Sequence, residues 1–352
     1  MKIAVIRREF ITHLDGVNKF VANLAEGLKQ LGQDVVIVSW SHRGVRREEL
    51  TDWFRQVHGL DAPIEVYTLR GPEEKDKWAT MLYEWWRKGG KLLKELGVEA
   101  SIVNGVVPLG LRPKVAVAHG PIAPNLAERL VLRALYATYD RVVCVSKATI
   151  EYFRGITKCD EIVPLPLKLK NYTPRPLDKR EDIVVHIGTS PRKNPQISAE
   201  AVKMLRERGR QVKLVLIGGR SEIAEELAKR PYVEAAFGID EKAKADLLSR
   251  AKALVLPSSA ETFSYVALEA MASGTPPVVS AAVPDDVVID GHNGFRIDGF
   301  DPAAYAEALE RLLADDGLWR EVSTNSLNFV KKLDHVEVAR RYLLILESIW
   351  RS

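Results

Sequence analysis

Leu256-Pro-Ser-Ser-Ala-Glu261-Thr-Phe-Ser-Tyr-Val-Ala-Leu-Glu269-Ala-Met-Ala-Ser-Gly-Thr-Pro276 is the stretch from which the rest of the chain is read. The apolar run Ala253–Leu256 predicts a buried strand that passes through a turn into a helix. Glu261 falls in the loop ahead of that helix. Glu269 falls about one and a half turns inside it, at roughly 3.6 residues per turn. Amides at a helix start have no intrahelical partner, so those near Phe263, Ser264 and Tyr265 favour an anion. A carboxylate for sugar hydroxyls, a helix start for phosphates and a second carboxylate for a vicinal diol together describe a nucleotide-sugar site.

Outward from this stretch, apolar runs of strand length alternate with helical patterns, which argues for α/β architecture with parallel sheets. In the first half the predicted strands are Ile3–Ile6, Val35–Val38, Glu65–Thr68, Ala100–Val103, Val115–Ala118 and Val142–Val145. Predicted helices there are Val17–Leu31, Lys75–Leu96 and Leu126–Ala137. The proline-punctuated segment Val163–Pro176 reads as a linker. Beyond it the alternation resumes with strands Ile183–Ile187, Val212–Ile217, Val233–Ala235, Ala253–Leu256 and Pro277–Val279. A long helix over Val336–Trp350 closes the chain.

At 352 residues the chain is long for one core, so two domains are expected. No apolar run is long enough to span a bilayer. Met1-Lys-Ile-Ala-Val-Ile reads as a strand without secretory regions, and two cysteines are too few for a disulfide framework. Cys144 reads as a small buried hydrophobe. The expected compartment is the cytoplasm. The net charge of +4 is unevenly spread: residues 1–170 hold 26 Lys and Arg against 20 Asp and Glu, and the remainder 25 against 27. A basic first half suits an acidic acceptor or an anionic membrane surface, and ordinary surface scatter equally. The stripe Trp78, Leu82, Trp85, flanked by Lys and Arg, reads either as a core-facing helix or as a peripheral membrane contact.

The Glu-x7-Glu pair, with Pro257-Ser ahead of it and Glu269-Ala-Met-Ala-Ser-Gly-Thr-Pro276 closing it, resembles the donor-binding signature of retaining GT-B glycosyltransferases of family 4 (glycosyl transferases group 1). That resemblance implies a GT-B fold of two Rossmann-like domains facing a deep cleft. It implies an acceptor-binding domain over 1–170, a nucleotide-sugar domain over 171–334 and a terminal helix, 335–352, packing back on the first domain. Glu261 would bind sugar hydroxyls, and Glu269 the ribose diol.

Other family positions follow residue by residue. Gly188-Thr-Ser-Pro-Arg-Lys-Asn-Pro195 lies where members place a Gly-Arg and, later, a Lys-Gly. Lys193 matches the lysine that meets diphosphate charge, Thr189 stands at the arginine position, and Arg192 is the candidate substitute. Gly16 matches one glycine of a Gly-Gly turn, with Asp15 at the other. Thr262-Phe263-Ser264 replaces Gly-Phe-Gly, while Gly238 sits at the nucleobase position. His119, at the end of a predicted strand, matches a histidine lining the reaction centre, and His186 reads as structural. Tyr265 completes the donor-binding set.

The resemblance implies retaining hexosyl transfer from a UDP-, GDP- or ADP-linked sugar to an unidentified hydroxyl acceptor (lipid-linked, saccharide or small and polar). His119, Lys193 and Glu261 would be catalytic, with no cofactor or metal required. A GT-B nucleotide-sugar epimerase, a phosphorylase and a non-catalytic nucleotide-sugar-binding protein share these features. No P-loop, zinc-ligand spacing or nucleophile elbow stands in a convincing context, and nothing points to nucleic acid.

Overall fold

The computed structural model describes residues 1–13, 15–71, 78–120 and 124–351. Leu14 of the first loop, Lys75 to Lys77 of the expected Lys75–Leu96 helix, Pro121 after His119, and Ser352 lie outside the described residues. The chain divides into two compact units, Met1–Leu167 with Leu333–Ser352, and Lys168–Lys332.

In the first unit, β1 (Lys2–Phe10), β2 (Asp34–Ser41), β3 (Val66–Thr68), β4 (Ala100–Asn104), β5 (Lys114–Ala118), β6 (Arg141–Cys144) and β7 (Glu161–Ile162) form one sheet ordered β3-β2-β1-β4-β5-β6-β7. Every pairing is parallel. Both faces of such a sheet are covered, so its inner strands are continuously apolar. Ile3, Ala4, Val5 and Ile6 accordingly have no exposed surface. The two-residue strand β7 carries too little apolar sequence to be read in advance.

The helices of this unit are α1 (Gly16–Gln30), α2 (Leu50–His58), α3 (Trp78–Glu84), α4 (Gly90–Glu95), α5 (Leu126–Tyr136) and α6 (Lys147–Tyr152). A π-helical turn, Trp85–Gly89, interrupts the expected Lys75–Leu96 helix between α3 and α4. Trp85 is fully buried, with its indole N–H donating to the Arg8 carbonyl, and Trp78 packs on the same core. The stripe therefore faces inward, and the outward aromatics of this segment are Tyr83 and Trp86. Cys144 is buried, but it is not a lone hydrophobe. It is disulfide-bonded to Cys159 across a Cα–Cα distance of 5.7 Å.

In the second unit, β8 (Glu181–Ile187), β9 (Lys213–Gly218), β10 (Val233–Phe237), β11 (Ala251–Leu256), β12 (Pro277–Ser280) and β13 (Phe295–Ile297) form a parallel sheet ordered β10-β9-β8-β11-β12-β13. Around it lie α7 (Pro195–Glu207), α8 (Glu222–Leu227), α9 (Glu241–Arg250), α10 (Tyr265–Ala272), α11 (Pro302–Ala314) and α12 (Asp316–Lys331). The buried Arg180 guanidinium donates to the carbonyls of Ala251 (2.6 Å) and Ser273 (2.7 Å) and to Thr275 Oγ1 (2.7 Å), tying the ends of α9 and α10 to the sheet. The chain then returns to the first unit as α13 (His335–Trp350), which packs on α1. Phe20 meets Tyr342 edge-on, with ring centroids 6.0 Å apart.

Strand order reverses once in each sheet, between β1 and β4 and between β8 and β11. In open α/β sheets ligands bind beyond the carboxyl ends of the strands at such a switch.

Candidate functional site

At the switch in the second unit, β8 delivers the loop Gly188–Asn194 and β11 delivers the loop Pro257–Ser264. Gly188 has φ +107°, and a Cβ there would lie 2.8 Å from Lys193 Cγ, so only glycine lets the lysine stem fold back over the turn. Two hydrogen bonds stitch the loops together: the Ser259 amide donates to the Arg192 carbonyl (2.9 Å), and Asn194 Nδ2 donates to the Pro257 carbonyl (2.8 Å). Held this way, Lys193 Nζ lies 2.5 Å from Glu261 Oε1, with both side chains about nine-tenths buried. His186 sits beneath them, fully buried. Its Nε2–H donates to the Gly188 carbonyl (2.8 Å) while Nδ1 accepts from Ser198 Oγ (2.8 Å). Burial lowers the His186 pKa to about 4 against the Gly188 bond, with help from the Lys193 charge, so the ring is neutral.

Thr189, at the family arginine position, is buried and donates its hydroxyl to the Gly219 carbonyl (2.8 Å). Arg192 is exposed at the rim of the same turn. Gly238 follows β10 at φ +65°, two strands from the β8 loop that carries Lys193, and its amide donates to the Gly218 carbonyl (3.0 Å).

Past Glu261, Phe263 and Tyr265 turn their side chains inward, at 4% and 9% exposure. Ser264 has φ +95°, a glycine conformation held by a serine, and its Oγ caps the Ala267 amide at 3.4 Å. The glycine-like backbone thus persists without the glycine, while Thr262 and Ser264 both add side chains to the loop. Glu269, 2% exposed on α10, forms an ion pair at 2.9 Å with Lys244 of α9.

The first unit holds Gly16 and His119 at its own switch. Gly16 is the exposed first residue of α1. Asp15 caps that helix by accepting from the Asn18 amide (2.8 Å) and pairs with Arg7 (3.1 Å), so a carboxylate already occupies the helix start. His119, after β5, donates from Nε2 to Asn104 Oδ1 (2.9 Å). Asn104 Nδ2 donates to the Ile6 carbonyl (3.1 Å), which fixes the amide and therefore the tautomer. Burial, then the charge of Arg7, lowers the His119 pKa to about 3, leaving a neutral ring with its lone pair on Nδ1. A cavity of about 330 Å³ lined by Met1, Glu99, Glu347, Trp350 and Arg351 lies at the amino ends of β1 and β4, the wrong end of the sheet for this chemistry.

Residues 14–166 match the family described as Glycosyltransferase Family 4, and residues 171–329 match Glycosyl transferases group 1. A D-inositol 3-phosphate glycosyltransferase of Frankia alni is 32% identical over 359 residues, covering 85% of this chain and 86% of that protein. The chain belongs to glycosyltransferase family 4. A second relative of the same name, from Xylanimonas cellulosilytica, is 38% identical over 137 residues, 36% of this chain and only 32% of its own length. The crystal structure of Anabaena HepE with UDP and glucose superimposes with a TM-score of 0.76 at 17% identity, over 99% of this chain and 100% of that one. The fold is GT-B.

As a family 4 member the chain brings together Gly188, Thr189, Arg192, Lys193 and Glu261 in two stitched loops, with Glu269 on the helix that follows. Sequence reasoning passed over Lys244, Asn194, Arg7 and Asn104. Asn194 immediately before Pro195 at a helix start, and Arg7 directly after the expected strand Ile3–Ile6, were visible signals. Lys244 gave none, because it is one of two lysines on a charged amphipathic helix.

Proposed function

We propose that this protein transfers a sugar from a nucleotide-diphosphate sugar to an acceptor hydroxyl with retention at the anomeric carbon. The observation that carries the reading is the Lys193–Glu261 pair at the β8/β11 switch, eight residues ahead of a buried Glu269. Transfer of this kind asks the protein for positioning and for charge at the leaving group. Lys193, with Arg192 at the rim, meets the charge that grows on the departing diphosphate. Glu261 accepts from sugar hydroxyls, and Glu269 accepts twice from the ribose diol. His119, neutral and with Nδ1 free of the Asn104 contact, accepts a hydrogen bond from a substrate hydroxyl. The acceptor hydroxyl attacks the face from which the diphosphate leaves, through an oxocarbenium-like state.

The relatives are named for D-inositol 3-phosphate and the HepE structure holds UDP with glucose, which supports a nucleotide donor and an anionic polyol acceptor. The excess of six positive charges in residues 1–170 is compatible with the same acceptor class. Because a lysine supplies the leaving-group charge, no divalent ion is required in this scheme. The test is turnover of UDP-, GDP- and ADP-sugars with inositol phosphate as acceptor, with and without EDTA, and the product anomer read by NMR. An inverted product sinks the retaining mechanism. Loss of activity in EDTA sinks the lysine scheme, and no binding of any donor sinks the reading as a whole.

A further inference from the structure

Both acidic residues of the signature are matched by a lysine from a different element, and only one of these lysines belongs to the donor scheme above. Lys193 pairs with Glu261. The other, Lys244, reaches from α9 to Glu269 on α10, with its ammonium 2.9 Å from Oε2 and 13% of its side chain exposed. Glu241, one turn earlier on α9, lies 2.7 Å from the same ammonium at a more exposed position. Tyr172 is buried against this group, and its pKa is raised by burial first and by the Glu269 charge second. Three charged groups and a phenol thus converge where the nucleoside carboxylate stands.

A carboxylate with 2% of its surface exposed keeps its charge and its rotamer only if a cation and hydrogen-bond donors hold it. Two acceptor oxygens aimed at a 2′,3′-diol require both. Without the ammonium the buried side chain loses the cation that holds its rotamer and turns toward water. That turn removes an acceptor from the diol. Glu241 cannot substitute for Lys244, because it carries the same sign as Glu269.

We infer that Lys244 is a positioning residue that holds Glu269 for the ribose diol and thereby sets the preference for ribonucleotide over 2′-deoxyribonucleotide donors. The inference rests on the nucleotide-sugar reading above and adds to it a residue and a selectivity. A lysine that only braced α9 against α10 would affect stability and leave this selectivity where it was.

The experiment titrates UDP, GDP and ADP, each beside its 2′-deoxy form, into the wild type, K244M, E269Q, K244R and the double variant K244M/E269Q by calorimetry. The wild type is expected to bind at least one ribonucleotide about tenfold or more tightly than its deoxy counterpart, the scale of a hydrogen bond to a charged group. K244M and E269Q are each expected to bring that ratio to about two or less. In the E269Q background, K244M should change the ratio no further, since coupled residues are not additive. K244R should retain most of the preference. A K244M protein that keeps the wild-type ratio, or a K244M effect that persists undiminished in E269Q, overturns the role of Lys244 alone. A wild type that binds no nucleotide overturns the nucleotide-sugar reading instead. Should K244M not fold, the neutral pair K244M/E269Q, which leaves no charge stranded, is compared with E269Q, and a different ratio overturns the inference.

Discussion

Lys193 and Glu261 neutralise each other across the two loops of the β8/β11 switch, at 2.5 Å and with both side chains about nine-tenths buried. One ammonium cannot hold a buried carboxylate and a diphosphate equally. Under the proposed function, donor binding is expected to exchange partners, with Lys193 turning to the phosphates and Glu261 released to the sugar hydroxyls.

That exchange makes the two variants of the pair behave differently. In E261Q the lysine has no carboxylate to leave, so a nucleoside diphosphate without sugar should bind several-fold more tightly, while turnover falls on the order of 10²–10³-fold. In K193M both nucleotide affinity and kcat should fall, kcat by a similar factor. Calorimetry with the nucleoside diphosphate and steady-state rates give both numbers. Weaker nucleotide binding in E261Q would show that the pair is a brace for the loops and not a latch.

Ser264 holds φ +95°, where a side chain costs on the order of 1–3 kcal/mol, and in exchange offers the Ala267 amide a bond of only 3.4 Å. Glycine relieves the strain and costs a few tenths of a kcal/mol as a cap. S264G should therefore raise stability by about 1 kcal/mol, read as a higher denaturation midpoint at unchanged m-value. Removing a side chain from the loop that carries Glu261 should also change which donor sugar is accepted. A lower midpoint in S264G would mean that the cap outweighs the strain.

Much of this was legible in the sequence because parallel strands buried on both faces are written as unbroken apolar runs. Ile3–Ile6 and Ile183–Ile187 fall inside β1 and β8 for that reason, whereas the order of the strands within each sheet was not legible. The loops were legible as chemistry and not as geometry. Gly188, Lys193 and Glu261 could be named, but their meeting depends on Asn194 and Ser259 bonding across 63 and 67 residues of chain. Asp15 was legible as a departure from the Gly-Gly turn, and the structure adds that its carboxylate caps α1 and binds Arg7. β13, three residues long, and the Cys144–Cys159 bond have no periodic signature at all. Lys244 escaped because an ion pair between two helices is a product of packing, which a one-dimensional pattern does not encode.

His186 gives the fold an acid-sensitive element. Its folded pKa, about 4, lies below the ordinary histidine value of about 6.5, so below pH 6.5 the unfolded chain binds a proton that the folded chain refuses. The stabilisation is complete above pH 6.5 and is lost as the pH falls toward 4, at roughly 1.4 kcal/mol per pH unit at most. H186Q keeps a donor and an acceptor but does not titrate. Urea midpoints at pH 7, 6 and 5 should fall more steeply for the wild type than for H186Q, and parallel slopes would place the acid sensitivity elsewhere.

His119 should leave no trace in the pH dependence of the reaction. With a pKa near 3 it stays neutral from pH 5 to 8, where an ordinary histidine general base would produce an acid limb. H119A should lower kcat/KM about tenfold through the lost hydrogen bond, with the shape of the profile unchanged over that range. An acid limb near pH 6.5 that disappears in H119A would make His119 a proton acceptor and overturn the hydrogen-bonding role.

Gly27 tests how α13 is held within the first unit. A Cβ at this position would lie 2.3 Å from the His335 carbonyl oxygen and 2.8 Å from Ala339 Cβ, so α1 and α13 approach backbone to backbone only because the side chain is absent. Glycine inside a helix ordinarily loses about 1 kcal/mol to alanine, and an exposed site would gain that amount on substitution. Here overpacking opposes the gain and costs about 1–3 kcal/mol, because the obstructing atom is backbone and cannot rotate away. G27A should therefore destabilise the protein or leave α13 displaced, with amide exchange accelerating in His335–Trp350 before the remainder of the unit. A stabilised G27A with unchanged protection in α13 would mean that the two helices separate at little cost and that the contact contributes little to holding the terminal helix.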